Sequence, residues 1–146
     1  HFMNRGYLLD TNVLSELMCD APATQVLTWF GDQAHHPIYT SAITQAEILT
    51  GIALLPEGKR RTALAQAAEQ MFAIDLAGRC LDFDGTAAQH YAVIVAQRTR
   101  MGQPISTEDA QIAAIAIATG HGVVTRNTKD FSDIEDLVVV NPWQAH

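Results

Sequence analysis

The sequence predicts an α/β domain, a three-layer α/β/α sandwich around a mainly parallel sheet of four to five strands. Three observations predict it. Short apolar runs alternate along the chain with stretches of helical periodicity. The runs are continuous rather than alternately polar and apolar, as in strands covered on both faces. No internal repeat, low-complexity tract or linker interrupts the order.

Tyr7–Leu9 is the first run, and Val13, Leu14, Leu17 and Met18 then mark a short helix. Val26, Leu27 and Phe30 place a second helix before the run Ile38–Ile43. Ile48, Leu49, Ile52 and Leu55 give a stronger stripe, ended by Pro56 and Gly58. Leu64, Ala68 and Met71 carry the next helix, and a weaker strand follows at Cys80–Phe83. Ala87, Tyr91, Ile94 and Val95 define a long helix that stops near Gly102 and Pro104. The segment Thr107–Thr119 is apolar nearly all round, so it should be a central helix. The last two runs are Gly122–Thr125 and Leu137–Val140. Right-handed crossovers between parallel strands put ligands beyond the strands' carboxyl ends, where strand order reverses. Asp10 closes the first strand and therefore falls there.

Residues 3–146 read as one domain, large enough for its own core, with His1-Phe2 before Met3 as a cloning remnant. The expected location is cytoplasmic: no leader pattern opens the sequence, and the apolar stretch around Ile112–Ala118 is far short of a membrane span. Cys19 and Cys80 are too few and too isolated for a disulfide framework or a zinc site. The net charge of −7 argues against non-specific coating of nucleic acid, which needs clustered Lys and Arg. The nine basic residues do form small groups, Lys59-Arg60-Arg61, Arg98 with Arg100, and Arg126 with Lys129. They read as solvated helix ends or as a basic rim around an acidic centre.

Each acid alone has a plain structural reading. Asp10 suits a helix N-cap, Thr44-Gln45-Ala46-Glu47 matches a capping box, and Ser106-Thr107-Glu108-Asp109 offers a similar start. Asn127 and Asp130 could cap a short turn after the fourth strand. Capping does not explain the conjunction. In a parallel sheet these junctions share one edge, so Asp10, Glu47 and Asp109 converge, joined by Asn127 and Asp130. Close carboxylates raise one another's pKa unless a cation lies between them. Oxygen ligands of this kind suit Mg²⁺ or Mn²⁺. Asn12, with Thr11, could orient Asp10 or only solvate the helix start, and Thr125 could bond a carboxylate or metal-bound water or only fill a β-favouring position. The six histidines form no pair at ligand spacing, and lone exposed or capping roles are expected for them.

Leu8-Leu9-Asp10-Thr11-Asn12, Ser41-Ala42-Ile43-Thr44-Gln45-Ala46-Glu47-Ile48, Asp109-Ala110-Gln111-Ile112-Ala113-Ala114 and Thr125-Arg126-Asn127-Thr128-Lys129-Asp130-Phe131 together resemble the four ordered motifs of PIN-domain ribonucleases. More narrowly the chain resembles the VapC toxins of toxin–antitoxin pairs, in their FitB-like branch, through residues 51–61 and the closing Asn141-Pro142-Trp143. The resemblance covers nearly the whole chain from Met3. It implies a divalent-metal-dependent endoribonuclease, commonly a homodimer, held inactive by a cognate antitoxin. Asp10, Glu47 and Asp109 fall on the family's three main acids. Asn127 falls on a fourth position that varies between Asp and Asn, which makes one metal the expectation rather than a tight pair. Asp130, the acid before Phe131, would compensate through water.

Hydrolysis by water would leave 5′-phosphate and 3′-hydroxyl ends, with Asp10 and Asp109 on the metal and Glu47 holding it or orienting the attacking water. Arg126 and Lys129 would guide single-stranded RNA. Trp29, Phe30, Leu54 and Leu55 could offer a groove to a partner helix, although core packing is the expected fate of at least half of them. Two rivals remain. A haloacid-dehalogenase-like phosphatase needs a second acid two residues after Asp10, where Asn12 stands. A PIN-like module with a weakened fourth ligand would bind RNA or a partner protein without cutting.

Overall fold

The computed structural model describes residues 6–144. His1 and Phe2 lie outside them. Five short strands form one sheet: β1 (Tyr7–Leu9), β2 (Ile38–Ser41), β3 (Cys80–Leu81), β4 (Gly122–Val124) and β5 (Val139–Val140). Their order is β3-β2-β1-β4-β5, and every pairing is parallel. Strand order reverses between β1 and β4, as the pattern of crossovers requires. Tyr7 pairs with Gly122, Leu8 with Val123 and Leu9 with Val124.

Six α-helices fill the connections: α1 (Thr11–Met18), α2 (Thr24–Asp32), α3 (Ala42–Ala53), α4 (Lys59–Gln70), α5 (Gly85–Arg100) and α6 (Thr107–Thr119). Alternation along the strands divides the core into two halves. Leu8 and Val123 pack with α5 and α6 through Ala87, Ile94, Ile112 and Ile115. Leu9 and Val124 face the other way, toward Val13, Leu14, Trp29, Ile48 and Ala68. Burying each large aliphatic side chain contributes about 1.5–3 kcal/mol. The predicted central helix is α6, with Ala110 and Ile112 to Ala116 buried in an unbroken run. Its alanines allow α5 to approach closely, and it ends on Gly120, whose φ of 76° is the left-handed cap conformation that glycine adopts without strain.

Several boundaries differ from the sequence reading, among them the last two runs, which shorten to Gly122–Val124 and Val139–Val140. The second run ends at Ser41 rather than Ile43, because the Ser41 hydroxyl accepts the Thr44 N–H (3.1 Å) and starts α3 there. Thr44 is therefore not the cap, and Glu47 is not bonded back to it but stands free of the helix start. The helix α4 is prolonged past Gln70 by one π-helical turn (Met71–Asp75), and Met71 is buried as its spacing from Leu64 and Ala68 predicts. The strand expected at Cys80–Phe83 keeps only two paired residues.

Candidate active site at the switch point

Asp10 follows β1 and caps α1, its carboxylate accepting the Thr11 N–H. Its carboxylate is 5% exposed, yet three donors reach it. The Thr11 N–H donates to Oδ1 (2.8 Å), while the Thr125 hydroxyl (2.7 Å) and the Asn12 amide (3.2 Å) donate to Oδ2. Burial pushes its pKa up, these three bonds pull it down, and the charge of Asp130 raises it again. An ionised carboxylate has about four acceptor positions. Three are used, which leaves capacity on Oδ1.

Thr125 directly follows β4, the neighbour of β1, which is why its buried hydroxyl meets Asp10 across 115 residues of sequence. The same oxygen accepts the Asn127 N–H (3.1 Å) and so fixes the start of the following turn. Asn12 joins both sides of the switch point: its amide donates to Asp10, and its Oδ1 accepts the Arg126 N–H (3.1 Å). The side chains of Thr125 and Asn12 thus lie where the sequence expected them.

Glu47 lies exposed on the second turn of α3. The Thr11 hydroxyl donates to its Oε1 at 2.7 Å, and Thr11 Oγ1 lies 3.1 Å from the buried Thr44 hydroxyl. Asp109 occupies the first turn of α6, where its N–H donates to Ser106 Oγ (3.2 Å). Its carboxyl is pushed up to about 6. Burial is the main cause, a bond from Ser106 opposes it, and the charges of Asp10, Asp130 and Glu47 then add to it. The charges of Asp10, Asp130 and Glu47, from three other segments, thus reach Asp109.

The convergence is open rather than closed. Among the described residues no three His, Cys, Asp or Glu side chains are placed to hold a metal ion. Asn127 and Asp130 are exposed, with Asp130 in the 3-10 turn Thr128–Phe131. Lys129 is exposed on that turn beside it.

Other expectations need correction. Arg98 is neither a solvated helix end nor part of a basic rim. It is 5% exposed, and its guanidinium donates to the backbone carbonyls of Gln103 (2.8 Å), Asp130 (3.0 Å) and Ser132 (3.1 Å). His121 is not exposed either: it is buried 2.6 Å from the Thr119 hydroxyl and tilted against the Tyr39 ring. Of the four apolar residues weighed between core and partner groove, Trp29 packs into the core edge-on to Tyr7 and Phe30, while Leu54 stands out in solvent. Leu55 does line a cleft of about 330 Å³ that runs from Thr11 and Glu47 to Arg60. The sequence reading missed Ser41 and Arg98, and it missed the stacking of Arg126 on Trp143, with the guanidinium carbon 4.6 Å from the ring centre.

A family model described as the PIN domain matches residues 7–137. The chain is 43% identical to the VapC ribonuclease Y4jK of Sinorhizobium fredii, over 94% of this chain and 97% of that protein. It is 40% identical to toxin FitB of Neisseria gonorrhoeae, over 93% and 97% respectively. The crystal structure of FitAcB from Neisseria gonorrhoeae superposes with a TM-score of 0.86 at 39% identity, covering 95% of this chain and 99% of the other.

Proposed function

The chain belongs to the PIN-domain family, and on that premise we propose that it is a divalent-metal-dependent endoribonuclease toxin, restrained by a cognate antitoxin. One observation carries the reading. Asp10, Glu47, Asp109 and Asp130 reach the switch point from four separate segments, and their charges raise the Asp109 carboxyl together with its burial. Carboxylate oxygens are donors of the kind that suits Mg²⁺ or Mn²⁺, ions that keep several waters and bind through one or two carboxylates. Asp10 and Asp109 would hold the ion, with Glu47 beside them and Asn127 as the uncharged fourth position. When bound, such an ion lowers the pKa of water and offsets charge on a phosphate undergoing in-line displacement.

The protein's own groups supply the rest. Thr125 and Asn12 occupy Oδ2 of Asp10 and hold the carboxylate in one orientation. Thr11 gives its single proton to Glu47, so the carboxylate that orients the attacking water is itself held from α1. Arg126 and Lys129 lie on the loop after β4 and bring phosphate toward an otherwise acidic edge. Water attack leaves 5′-phosphate and 3′-hydroxyl ends; finding 2′,3′-cyclic phosphate overturns this version.

The toxin named among the relatives supports an antitoxin as partner, and the same reading includes a homodimer acting on RNA in the cytoplasm. Among the described residues no helix is long and apolar enough to cross a membrane. The openness of the acids also favours a second reading, a module that binds RNA or a partner without cutting it. Incubating the chain with RNA in Mg²⁺, Mn²⁺ or EDTA, beside folded Asp10→Asn and Asp109→Asn variants, separates the two. Cleavage that needs metal and both acids is the expected result. Equal residual cutting in all samples leaves the binding module.

A further inference from the structure

The Arg126 guanidinium carbon lies over the Trp143 indole, 4.6 Å from the ring centre. Both partners are tied to the site. The Arg126 N–H donates to Asn12, which itself holds Asp10, and the residue follows Thr125 directly. Trp143 packs against the core half that contains Leu9 and Val124, and its N–H donates to Asn141 Oδ1 (2.9 Å). The Asn141 amide in turn donates to the Arg126 carbonyl (3.4 Å). The segment Asn141–Trp143 therefore sets the position of an arginine that directly follows Thr125, the residue bonded to Asp10.

The chemistry of the pair decides what it can take. Cation–π contact uses the face of the guanidinium, whereas its five N–H donors lie in the plane. Stacking on indole leaves those donors unspent while fixing their orientation. A guanidinium bound to a carboxylate would have lost them to its partner. Arg126 itself is exposed, so the face turned away from Trp143 is open to a base, and the in-plane donors are open to a phosphodiester. On a chain of net charge −7, a prepared cation beside the acids gives a polyanion a point of entry.

Resting on the ribonuclease reading, we propose that Arg126 and Trp143 form a nucleotide subsite, in which the indole-backed guanidinium binds the phosphate and base of the nucleotide beside the scissile bond of single-stranded RNA. Trp143 acts through Arg126 as its positioning residue.

Two measurements test this. Trp29 is the other tryptophan and is buried, so a Trp29→Phe background leaves Trp143 as the sole indole reporter. With Asp10→Asn added to stop cleavage, an unstructured RNA oligonucleotide titrated in Mg²⁺ should change the Trp143 emission in step with binding followed by filter retention. Binding that saturates with no change in emission overturns the subsite. In the cleaving protein, Arg126→Ala and Trp143→Ala should each raise KM roughly five- to tenfold with kcat within about twofold. The double variant should be no worse than Arg126→Ala alone, because both changes remove one device. Trp143→Phe should recover most of the loss, and Arg126→Lys only part, since an ammonium lacks the planar fork. Unchanged KM in alanine variants that melt normally leaves the nuclease standing and removes the subsite. If the unaltered chain cuts no RNA, the nuclease reading falls, and the emission titration still decides whether RNA touches Trp143.

Discussion

At the scale of single residues, Asp109 shows how the site strains the protein that carries it. Its carboxyl stands near 6 in the fold, against 3.8 for an unperturbed group. The folded state therefore holds the proton over a pH range in which the unfolded chain has released it. By linkage, stability falls as pH rises from about 4 to 6 and is level above that, while below about 4 both states are protonated and the effect vanishes. The group is half-exposed, so solvent screens much of the penalty and about 1 kcal/mol is a fair ceiling. Asp109→Asn should raise the melting temperature of the metal-free protein by about 2–4 °C near pH 7.5 and leave it unchanged near pH 4. Thermal melts in EDTA at the two pH values check this. A variant that melts lower at neutral pH would show that the acids do not repel one another there. Asn127 makes the complementary case. If its side chain faces the acids, Asn127→Asp adds a ligand charge, and Mn²⁺ should bind more tightly by isothermal titration. Unchanged affinity would return Asn127 to the turn it begins.

Elements explain both what the sequence disclosed and what it concealed. Asp10 was legible because a buried strand that ends on a carboxylate is unusual, and Thr125 because it closes the neighbouring run. The start of α3 was not. Ser41 to Thr44 and Thr44 to Glu47 both offer a hydroxyl three residues before a helical position. The choice is made by the sheet, since Ser41 still pairs with Leu81 of β3 and the chain can turn only after it. Arg98 gave no local signal at all, because the Asp130 and Ser132 carbonyls it binds lie more than 30 residues away. It fastens the loop before α6 and the turn that carries Asp130 to α5, so two site-bearing segments depend on one side chain. Arg98→Met should cost about 2–4 kcal/mol by removing three charge-assisted, partly buried hydrogen bonds, lowering the melting temperature by roughly 5–10 °C, with Arg98→Lys between the two. A loss below about 1 kcal/mol would mean that water replaces the guanidinium easily. On β2 the opposite change should help. Thr40 is fully buried, and its hydroxyl has no hydrogen-bond partner among the described residues. Thr40→Val keeps the shape and removes that unsatisfied group, so the melt should rise by about 2–4 °C.

For the molecule as a whole, the question is how an acidic protein engages RNA. The fold concentrates Asp10, Glu47, Asp109 and Asp130 at the switch point, on a chain that already carries a net charge of −7. Proteins that bind nucleic acid through many phosphates lose affinity steeply with salt, because each neutralised phosphate releases counterions. Here the basic residues on the loop after β4 are Arg126 and Lys129, while Arg98, which looked like a third basic point nearby, is spent on backbone carbonyls. With about two phosphates neutralised, the slope of log affinity against log salt for a single strand should be about −1.4 at fixed Mg²⁺. Lys129→Ala should halve that slope with little change in kcat. Measuring KM for one unstructured RNA across a series of KCl concentrations decides the matter. A slope near −4 or steeper would require a basic surface elsewhere, with the Lys59-Arg60-Arg61 group at the start of α4 the first place to look. A shallow slope means that recognition rests on the metal, on stacking and on shape, which is how so acidic a chain can act on a polyanion.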